Sequence, residues 1–382
     1  VNTSDGAIYG WGSSTLNITG GSVTSTGKSA IEISGSTTAT LTDVTVKNSA
    51  SGYPAIYTGR NNKLYVTNGN IDATAGNSVT LQGTQVAEFT NVTITNEGNG
   101  CAGIFANAYF NNDNTIAQSS IVTIKGGSIT AQDGCGLWIR NRSSVTLQEN
   151  AVVTNHAEDG QSTYSAVYVR EGSTLTATGG SITAAKSSNA INIDDVVNAT
   201  ADQPGCSVKL TNVAVSSPDS TWNTIHAGQN SILTISGGTV AAGTNGNAIY
   251  GRNADVTLTA SKVTAQSGAA LYAENSVITV NSGTYYSESN FAIAGTAPYS
   301  VDINGGYFHG SADTLDATRK DAGSLTLPTG KVLSNANITQ EERTDNDLGT
   351  DYWWRLADPA PANVTVTFDV NTNGGQFADG TT

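Results

Sequence analysis

The sequence lacks methionine, and it has only three cysteines and seven prolines among 382 residues. No apolar run approaches the ~18 residues needed to cross a bilayer, so we expect no insertion into a membrane. The three cysteines and three histidines are scattered, and their spacing is not that of zinc ligands. We therefore expect no metal site and no cofactor.

Basic residues are also scarce. The chain carries 17 lysines and arginines against 31 aspartates and glutamates, a formal net charge of −14. A charge of this sign repels phosphate groups, so we expect neither a nucleic acid nor an anionic membrane surface as partner. With 13% charged and 37% hydrophobic residues, the composition does not fit one large globular core.

A short phrase recurs along the chain instead. Ala-Ile-Tyr, or a variant of it, is followed about ten residues later by a run such as Thr-Leu-Thr-Ile-Thr-Gly-Gly-Ser-Val-Thr. A fixed period of this size is typical of stacked repeats, because no single unit can bury its apolar side alone. The phrase begins at Ala7, Ala30, Ala55, Ser78, Gly103, Gly136, Ala166, Ala190, Thr224, Ala248, Ala270 and Ala292.

The first repeat shows how one coil is built. Ile8, Leu16 and Ile18 alternate with Tyr9 and Asn17, which predicts short strands with the aliphatic side chains inward and the others outward. Equivalent strands follow one another at every repeat, so the sheets are expected to be parallel and the coil right-handed. The sequence thus predicts an all-β solenoid of about twelve coils.

The repeat phrases resemble those of a known superfamily. Gly126-Gly127-Ser128-Ile129-Thr130 and the matching phrase at 179–183 are similar to the coils of right-handed parallel β-helix proteins, which include pectin-acting lyases, galacturonases and bacterial surface adhesins. The resemblance covers residues 1–312 and implies a pectin-lyase-like parallel β-helix. It does not imply one activity, because the superfamily hosts many.

The periodicity fades after this range. Residues 313–358, with the segments 324–328 and 352–356, are predicted to cap the open end of the solenoid. Residues 359–363 are predicted to be a proline-containing linker. Residues 364–382, with Val-Thr-Phe-Asp and then Asn-Gly-Gly, resemble the start of a Listeria–Bacteroides repeat, which implies a partial β-grasp module in a longer, secreted or cell-surface protein of a gut bacterium.

One outward face predicts a binding surface. The position after the inward Ile of each coil forms an aromatic file, and the position two residues later forms a polar file. Rings and planar donors side by side are typical of sugar sites. The aromatic file consists of Tyr9, Glu32, Tyr57, Thr80, Phe105, Trp138, Tyr168, Asn192, His226, Tyr250 and Tyr272, and the polar file of Gly59, Gln82, Asn107, Arg140, Arg170, Asp194, Gly228, Arg252 and Glu274.

The residues predicted to bind a ligand come from both files. They are Phe105, Trp138, Arg140, Tyr168, Arg170, Asn192, His226, Tyr250 and Arg252. Four lengthened segments, 107–119, 154–165, 194–207 and 216–223, are expected to rise around this face, because long loops on a rigid scaffold carry function. An aromatic ladder that only stabilises the sheet is the alternative explanation of the aromatic file.

Two further predictions concern single residue types. Asp194 with Glu171 or Asp195 could supply the two carboxyls, about 5–9.5 Å apart, that glycoside hydrolysis needs. Cys101 and Cys135 fall at the same phase of neighbouring coils, which leaves two alternatives open: a disulfide, or inert buried thiols.

These features lead to three hypotheses about function. The first is a non-enzymatic adhesin that binds a glycan or glycoprotein on a host or dietary surface. The second is a carbohydrate-active enzyme, a glycoside hydrolase or a polysaccharide lyase, although the residue sets of galacturonases and the calcium-binding strip of pectate lyases are not evident. The third is a structural spacer. The sequence leaves the oligomeric state open.

Overall fold

The computed structural model describes residues 1–157, 164–186, 188–196, 199, 204–296, 298–310, 324–337 and 352–358. These residues form strands and no helix. The described part of the chain therefore has no helix that could cross a membrane. Three long sheets, here called A, B and C, run side by side, and the chain visits them in turn once per coil. The predicted all-β solenoid of about twelve coils is confirmed.

Sheet A is parallel until its last two strands. Its inward side chains are buried, and threonine is the commonest of its outward residues. In spatial order its strands are β1 (Asn2–Thr3), β4 (Ser22–Ser25), β7 (Thr45–Asn48), β10 (Asn70–Ala73), β13 (Thr93–Asn96), β18 (Ser128–Ala131), β21 (Val152–Asn155), β24 (Ser181–Ala184), β27 (Ala214–Ser217), β30 (Thr239–Ala242), β33 (Ser261–Ala265), β36 (Gly283–Ser287), β39 (Tyr307–His309), β42 (Tyr352–Ala357) and β41 (Val332–Asn337).

Sheet B carries the predicted binding face. All of its strands are parallel. They are β2 (Ile8–Gly10), β5 (Ile31–Ile33), β8 (Ile56–Thr58), β11 (Val79–Gln82), β14 (Ala102–Asn107), β19 (Cys135–Ile139), β22 (Val167–Val169), β25 (Ile191–Ile193), β28 (Ile225–Ala227), β31 (Ile249–Arg252), β34 (Leu271–Glu274) and β37 (Ile293–Thr296).

Sheet C completes each coil, and a separate antiparallel hairpin projects between sheets B and C. The strands of sheet C are β3 (Thr15–Thr19), β6 (Thr38–Thr42), β9 (Lys63–Thr67), β12 (Val86–Thr90), β17 (Ile121–Lys125), β20 (Ser144–Gln148), β23 (Thr174–Thr178), β26 (Ser207–Thr211), β29 (Ile232–Ser236), β32 (Asp255–Thr259), β35 (Val277–Val280), β38 (Ser300–Ile303) and β40 (Ser324–Thr326), and those of the hairpin are β15 (Tyr109–Phe110) and β16 (Ile116–Gln118).

The core is one continuous apolar column inside the three sheets. Equivalent aliphatic side chains lie in register, as Ile31, Ile56 and Val79 do in sheet B. All three are fully buried. Each coil contributes only a few inward side chains. The dry interior that the repeat predicted therefore forms only when the coils stack.

The corner between sheets C and A is the tightest part of the coil, with at most three residues between the strands from β3–β4 to β38–β39. At Gly20 and Gly21 both corner residues have positive φ, whereas at Asn68 only the first does. Ala260 occupies the Asn68 position with a φ of 52° and is exposed. Alanine has no side-chain amide that would favour this left-handed conformation, so this corner is strained.

Buried asparagines brace the connection from sheet A to sheet B. The Asn48 amide donates to the carbonyls of Tyr53 and Pro54, at 3.0 and 2.8 Å, while its Oδ1 accepts from the Ala50 N–H at 2.7 Å. Two and four coils later, Asn96 and Asn155 also accept from the N–H two residues ahead, and their amides donate to the carbonyls of Gly76 and Tyr164. Each amide thereby satisfies loop groups that would otherwise be buried without partners.

The C-terminal strands lie at one end of the solenoid. Strand β40 continues sheet C beside β38, and β42 pairs with β39 in the antiparallel sense. Trp353 on β42 is fully buried. The boundaries of a cap at 313–358 stay a prediction, and the predicted linker (359–363) and Listeria–Bacteroides repeat (364–382) lie outside the described residues.

The three cysteines are thiols in this structure, and none of them forms a disulfide. Cys101 and Cys135 lie on neighbouring coils, where the Cys135 N–H donates to the Cys101 carbonyl at 3.0 Å, and no disulfide joins them. Burial raises the pKa of Cys135 to about 12 and that of Cys206 to about 11. Of the two alternatives, the structure has thiols rather than a disulfide, with Cys135 buried and Cys101 partly buried.

Candidate functional site

The outer face of sheet B carries the aromatic file in the predicted register. Each member lies directly beside the next, from Tyr9 next to Glu32 up to Tyr250 next to Tyr272. The polar file runs parallel to it, as shown by the pairing of Gln82 with Asn107 and of Arg252 with Glu274. The structure therefore brings the predicted ligand-binding residues onto one face, and their binding role stays a prediction.

The rings of the aromatic file fall into two groups. The first aromatic cluster is Phe105, Trp138 and Tyr168, with centroid distances of 5.2 Å between the first two rings and 6.0 Å between the last two. It packs with Ala102 and Cys135 in a small apolar group separate from the main core. This packing fixes the orientation of the Trp138 ring.

The second aromatic cluster is His226, Tyr250 and Tyr272. The His226 and Tyr250 rings are 5.3 Å apart, and the Tyr250 and Tyr272 rings are stacked at 5.4 Å. Asn192 separates this cluster from the first one along the file.

Two residues that were expected to be exposed are covered. Tyr168 and Asn192 each retain only 4% of their accessible surface. The Tyr168 ring stacks on Trp138 and has the Arg170 guanidinium 5.2 Å from its centroid, while the Asn192 Oδ1 lies 3.1 Å from His226 Nδ1. The expectation that the whole aromatic file is exposed is therefore wrong at these two coils, because Trp138 and Arg170 cover the Tyr168 ring and His226 contacts the Asn192 amide.

Two arginines of the polar file are bound to carboxylates of the next coil. Arg140 donates from Nε and Nη2 to both oxygens of Glu171, at 3.0 and 2.6 Å. Arg170 donates from Nε to Asp194 at 2.6 Å. The Arg140 guanidinium also lies 5.7 Å from the Trp138 ring centroid. The arginines thus tie adjacent coils together and line the aromatic rings.

A third ion pair spans two coils. Asp195 accepts from Arg252 and also from the Gln229 N–H at 2.6 Å. The intervening coil has Gly228 in the polar file, and a Cβ there would lie 2.6 Å from Asp195 Oδ1. The absence of a side chain at Gly228 therefore allows the carboxylate to pass over this coil.

Tyrosine hydroxyls of the aromatic file donate to side chains of the next coil, a contact that the sequence analysis did not predict. Tyr57 donates to Gln82 Oε1 at 2.7 Å, and Tyr250 donates to Glu274, both acceptors lying in the polar file of the next coil. Burial, reinforced by the Glu274 carboxylate, raises the pKa of Tyr250 well above its ordinary value. The sequence does carry a signal for this contact. It is a hydrogen-bond acceptor that lies two positions after the aromatic-file residue of the next coil.

His226 is the histidine of this face. Burial lowers its pKa from the ordinary value of 6.5, against the opposing influence of the Asp194 and Glu274 charges. Its Nε2 is buried and has no hydrogen-bond partner among the described residues. The buried ring nitrogen disfavours the charged form.

The long connections of the chain flank sheet B. They are 108–120 and 194–206 on the side of sheet C, and 156–166 on the side of sheet A. The first contains the hairpin β15–β16, in which Tyr109 packs against the Arg60 guanidinium at 5.4 Å. The central residues of the other two lie outside the described residues.

The expected insertion at 216–223 is wrong. Residues Ser216 and Ser217 belong to β27, and the connection that follows, 218–224, is no longer than the connection 49–55 of an ordinary coil. The repeat that begins at Ala190 is long because of the connection 194–206 alone. The other three predicted lengthened segments correspond to long connections in the structure.

The candidate catalytic carboxylates lie along the edge of the same face. Glu171 has both oxygens bound by one guanidinium, and Asp194 and Asp195 each contact another. Within the described residues no group of three or more histidine, cysteine or carboxylate side chains is arranged to hold a metal ion. The contacts account for these carboxylates as ion-pair partners, and their catalytic role stays a prediction.

Comparison with known proteins bears on the fold. The family model described as right handed beta helix region matches residues 6–201, just over half of the chain. A chain in the cryo-EM structure of the Vag8–C1 inhibitor complex superposes with a TM-score of 0.69, at 16% identity, over 85% of this chain and 76% of that chain. No curated protein matches the sequence. At this level of identity the structural likeness concerns the fold alone.

Proposed function

The chain belongs to the right-handed β-helix family, and we propose that it is a non-enzymatic, extracellular or cell-surface binding protein that recognises a glycan through the outer face of sheet B. The observation that carries the proposal is that the long connections begin or end at strands of sheet B, which also carries the aromatic file. Connections of such length on a rigid scaffold commonly carry binding residues.

The aromatic side chains on this face are suited to sugar contact. Phe105, Trp138, Tyr250 and Tyr272 are half-buried, so each ring is held by its neighbours while part of it stays accessible. The apolar face of a pyranose stacks on such rings, and fixed polar groups beside them select its hydroxyls. In addition, the Trp138 indole N–H is buried without an acceptor among the described residues, and a ligand oxygen would satisfy it.

A structural spacer would need neither long connections beside sheet B nor an aromatic file. In a passive rod the three corners of the coil are equivalent, and longer connections would be spread among them. Here the corner between sheets C and A stays at three residues or fewer from β3–β4 to β38–β39, while both corners beside sheet B accept long connections. This asymmetry favours a binding role over a structural spacer.

An enzyme is the less favoured alternative. A glycoside hydrolase needs one carboxyl free to give a proton and another free to attack or to activate water. The oxygens of Glu171 are both bound by Arg140, and Asp195 contacts both Arg252 and the Gln229 amide. Engaged in this way, the carboxylates are poorly placed to react with a substrate.

A protein partner is the second candidate. One structure with a similar fold is that of Vag8 in complex with C1 inhibitor, a protein. The face of sheet B could contact a glycoprotein through its protein part as well as through its glycan. The two candidates differ in whether enzymatic removal of glycans abolishes binding.

A glycan array with the purified chain tests the proposal. We expect binding to at least one glycan, and roughly tenfold weaker binding by Trp138→Ala, the size expected when one stacking ring is lost. Tyr65→Ala, an outward aromatic on sheet C, is the matched control and should bind like the wild type. Binding to no glycan, or equal binding by Trp138→Ala, would contradict the proposal.

The enzymatic alternative is checked in the same preparation. Glycans that bind the chain are incubated with it for a long period, and released sugars are measured. Intact glycans support a binding protein. Cleavage that Glu171→Gln or Asp194→Asn abolishes would establish the enzyme in its place.

A further inference from the structure

We infer that the glycan recognised by this face is uncharged: a neutral oligosaccharide rather than one bearing carboxylate, sulfate or phosphate groups. This inference rests on the proposed function and specifies its ligand class. Arginines beside aromatic rings would ordinarily suggest the opposite, an acidic sugar held by guanidinium groups. The contacts of these arginines decide the question.

Every arginine of the two files already holds a carboxylate of this chain. Arg140 and Glu171 are joined at two points, and their side chains are only 29% and 26% exposed. Arg170 with Asp194 and Arg252 with Asp195 also form ion pairs, each through a single contact. The charges of the three arginines are thus neutralised within the protein.

An acidic ligand would have to displace one of these partners. Glu171 presents both oxygens to the fork of Arg140, which is the geometry that a sugar carboxylate would itself adopt. The exchange would give the arginine no new bond, and it would leave Glu171 without its partner in a partly covered position. A neutral hydroxyl can instead add to the pair, because it donates to a carboxylate oxygen and accepts from a remaining N–H.

The remaining charges on the face are negative. Glu32 lies in the aromatic file and Glu274 in the polar file, and no lysine or arginine among the described residues forms an ion pair with either. Arg60 and Arg142 lie beyond the polar file at the corner toward sheet C, and Arg60 stacks on Tyr109. The whole chain has a net charge of −14, which adds long-range repulsion of anions.

Matched pairs of glycans test the inference directly. We compare neutral oligosaccharides with the same structures carrying a uronic acid, a sialic acid or a sulfate, at low and at physiological salt. The expected result is at least tenfold weaker binding of the acidic member, with affinity for the neutral member insensitive to salt. Stronger binding of the acidic members overturns the inference while the proposed function stands; binding of neither member overturns the proposed function.

A charge-freeing variant gives the converse test. Glu171→Gln releases Arg140, so we expect binding of the acidic glycans to increase by roughly tenfold and to become weaker as salt increases. Asp72→Asn is the matched control, because it removes the same charge from the Lys47 pair on sheet A, where the separation is 3.5 Å. Its acidic-glycan binding should stay unchanged.

Asp194→Asn, which releases Arg170, repeats the test should Glu171→Gln fold poorly. Thermal unfolding by circular dichroism identifies that case. A gain with either variant but not with Asp72→Asn supports the inference. Equal gains in the variant and the control, or no gain in a folded variant, contradict it.

Discussion

The side chains of Arg140 and Glu171 meet at two points across adjacent coils, with Nε–Oε2 at 3.0 Å and Nη2–Oε1 at 2.6 Å. Both side chains are about one quarter exposed, so water screens the pair only in part. In a double-mutant cycle of Arg140→Ala and Glu171→Ala, we expect a coupling free energy of about 1 kcal/mol, measured by urea unfolding. A coupling near zero would show that the contact does not persist in solution.

Gly228→Ala should destabilise the chain by about 2 kcal/mol. The new Cβ would lie 2.6 Å from both Asp195 Oδ1 and the Ile193 carbonyl, and the backbone cannot yield to it as a flexible side chain would. The substitution would also separate Asp195 from Arg252. Thermal unfolding measures the loss.

Gly59→Ala is the matched control for that substitution. Gly59 occupies the same position in the polar file, but a Cβ there meets nothing closer than 3.7 Å. We expect its unfolding temperature to stay near that of the wild type. An equal loss at both glycines would contradict the steric explanation.

Asn155→Ala should cost about 3 kcal/mol of stability. The Asn155 amide donates to the carbonyls of Gly134 and Tyr164, its Oδ1 accepts from the Ala157 N–H, and the side chain is fully buried. Its removal leaves these backbone groups without partners. Thr154→Ala, on the outward side of the same strand, should have little effect on urea unfolding.

Ala260→Asn should stabilise the chain by about 0.5 kcal/mol, because Asn tolerates the left-handed conformation better than Ala. The equivalent corners use Asn68, Asn91 and Asn212 at similar φ. Ala260→Val should have the opposite effect, since a β-branched residue is least compatible with positive φ. The melting temperatures of the two variants should therefore fall on opposite sides of the wild type.

His226 makes stability depend on pH. Its folded pKa is lowered by burial, so the unfolded chain takes up a proton below about pH 6.5 that the folded chain does not. Stability should therefore decrease as the pH is lowered through this range, by up to about 1.4 kcal/mol per pH unit. His226→Gln should flatten this part of the profile measured by urea unfolding, and an unchanged slope would contradict the assignment.

The register of this fold was predictable from the sequence for a physical reason. Residues at one phase of the repeat must superpose, because slipping by one residue would turn Ile31 outward and Glu32 into the core. The composition of the aromatic file follows from that constraint alone. The family match and the paired strands agree with it.

The contacts among outward side chains were not predictable in the same way. Whether Arg170 reaches Asp194 or a ligand depends on the offset between coils, which the repeat phase does not specify. The burial of Tyr168 depends on rings and a guanidinium from three coils. The reach of Asp195 across a whole coil depends on the missing side chain of Gly228, which the sequence alone does not relate to it.

From Asn48 to Asn155 the bracing asparagines occur at every second coil, at Asn48, Asn96 and Asn155, while Ala73 and Ala131 occupy the same column between them. Adjacent coils are therefore complementary rather than identical. Between Asn48 and Asn155, a gene duplication or deletion that adds or removes two coils preserves the alternation, whereas a change by one coil places two amides or two methyl groups next to each other. The pair of turns is therefore the heritable unit of length in this part of the rod, and the adjacent Ala242 and Ala265 show that the constraint ends beyond it.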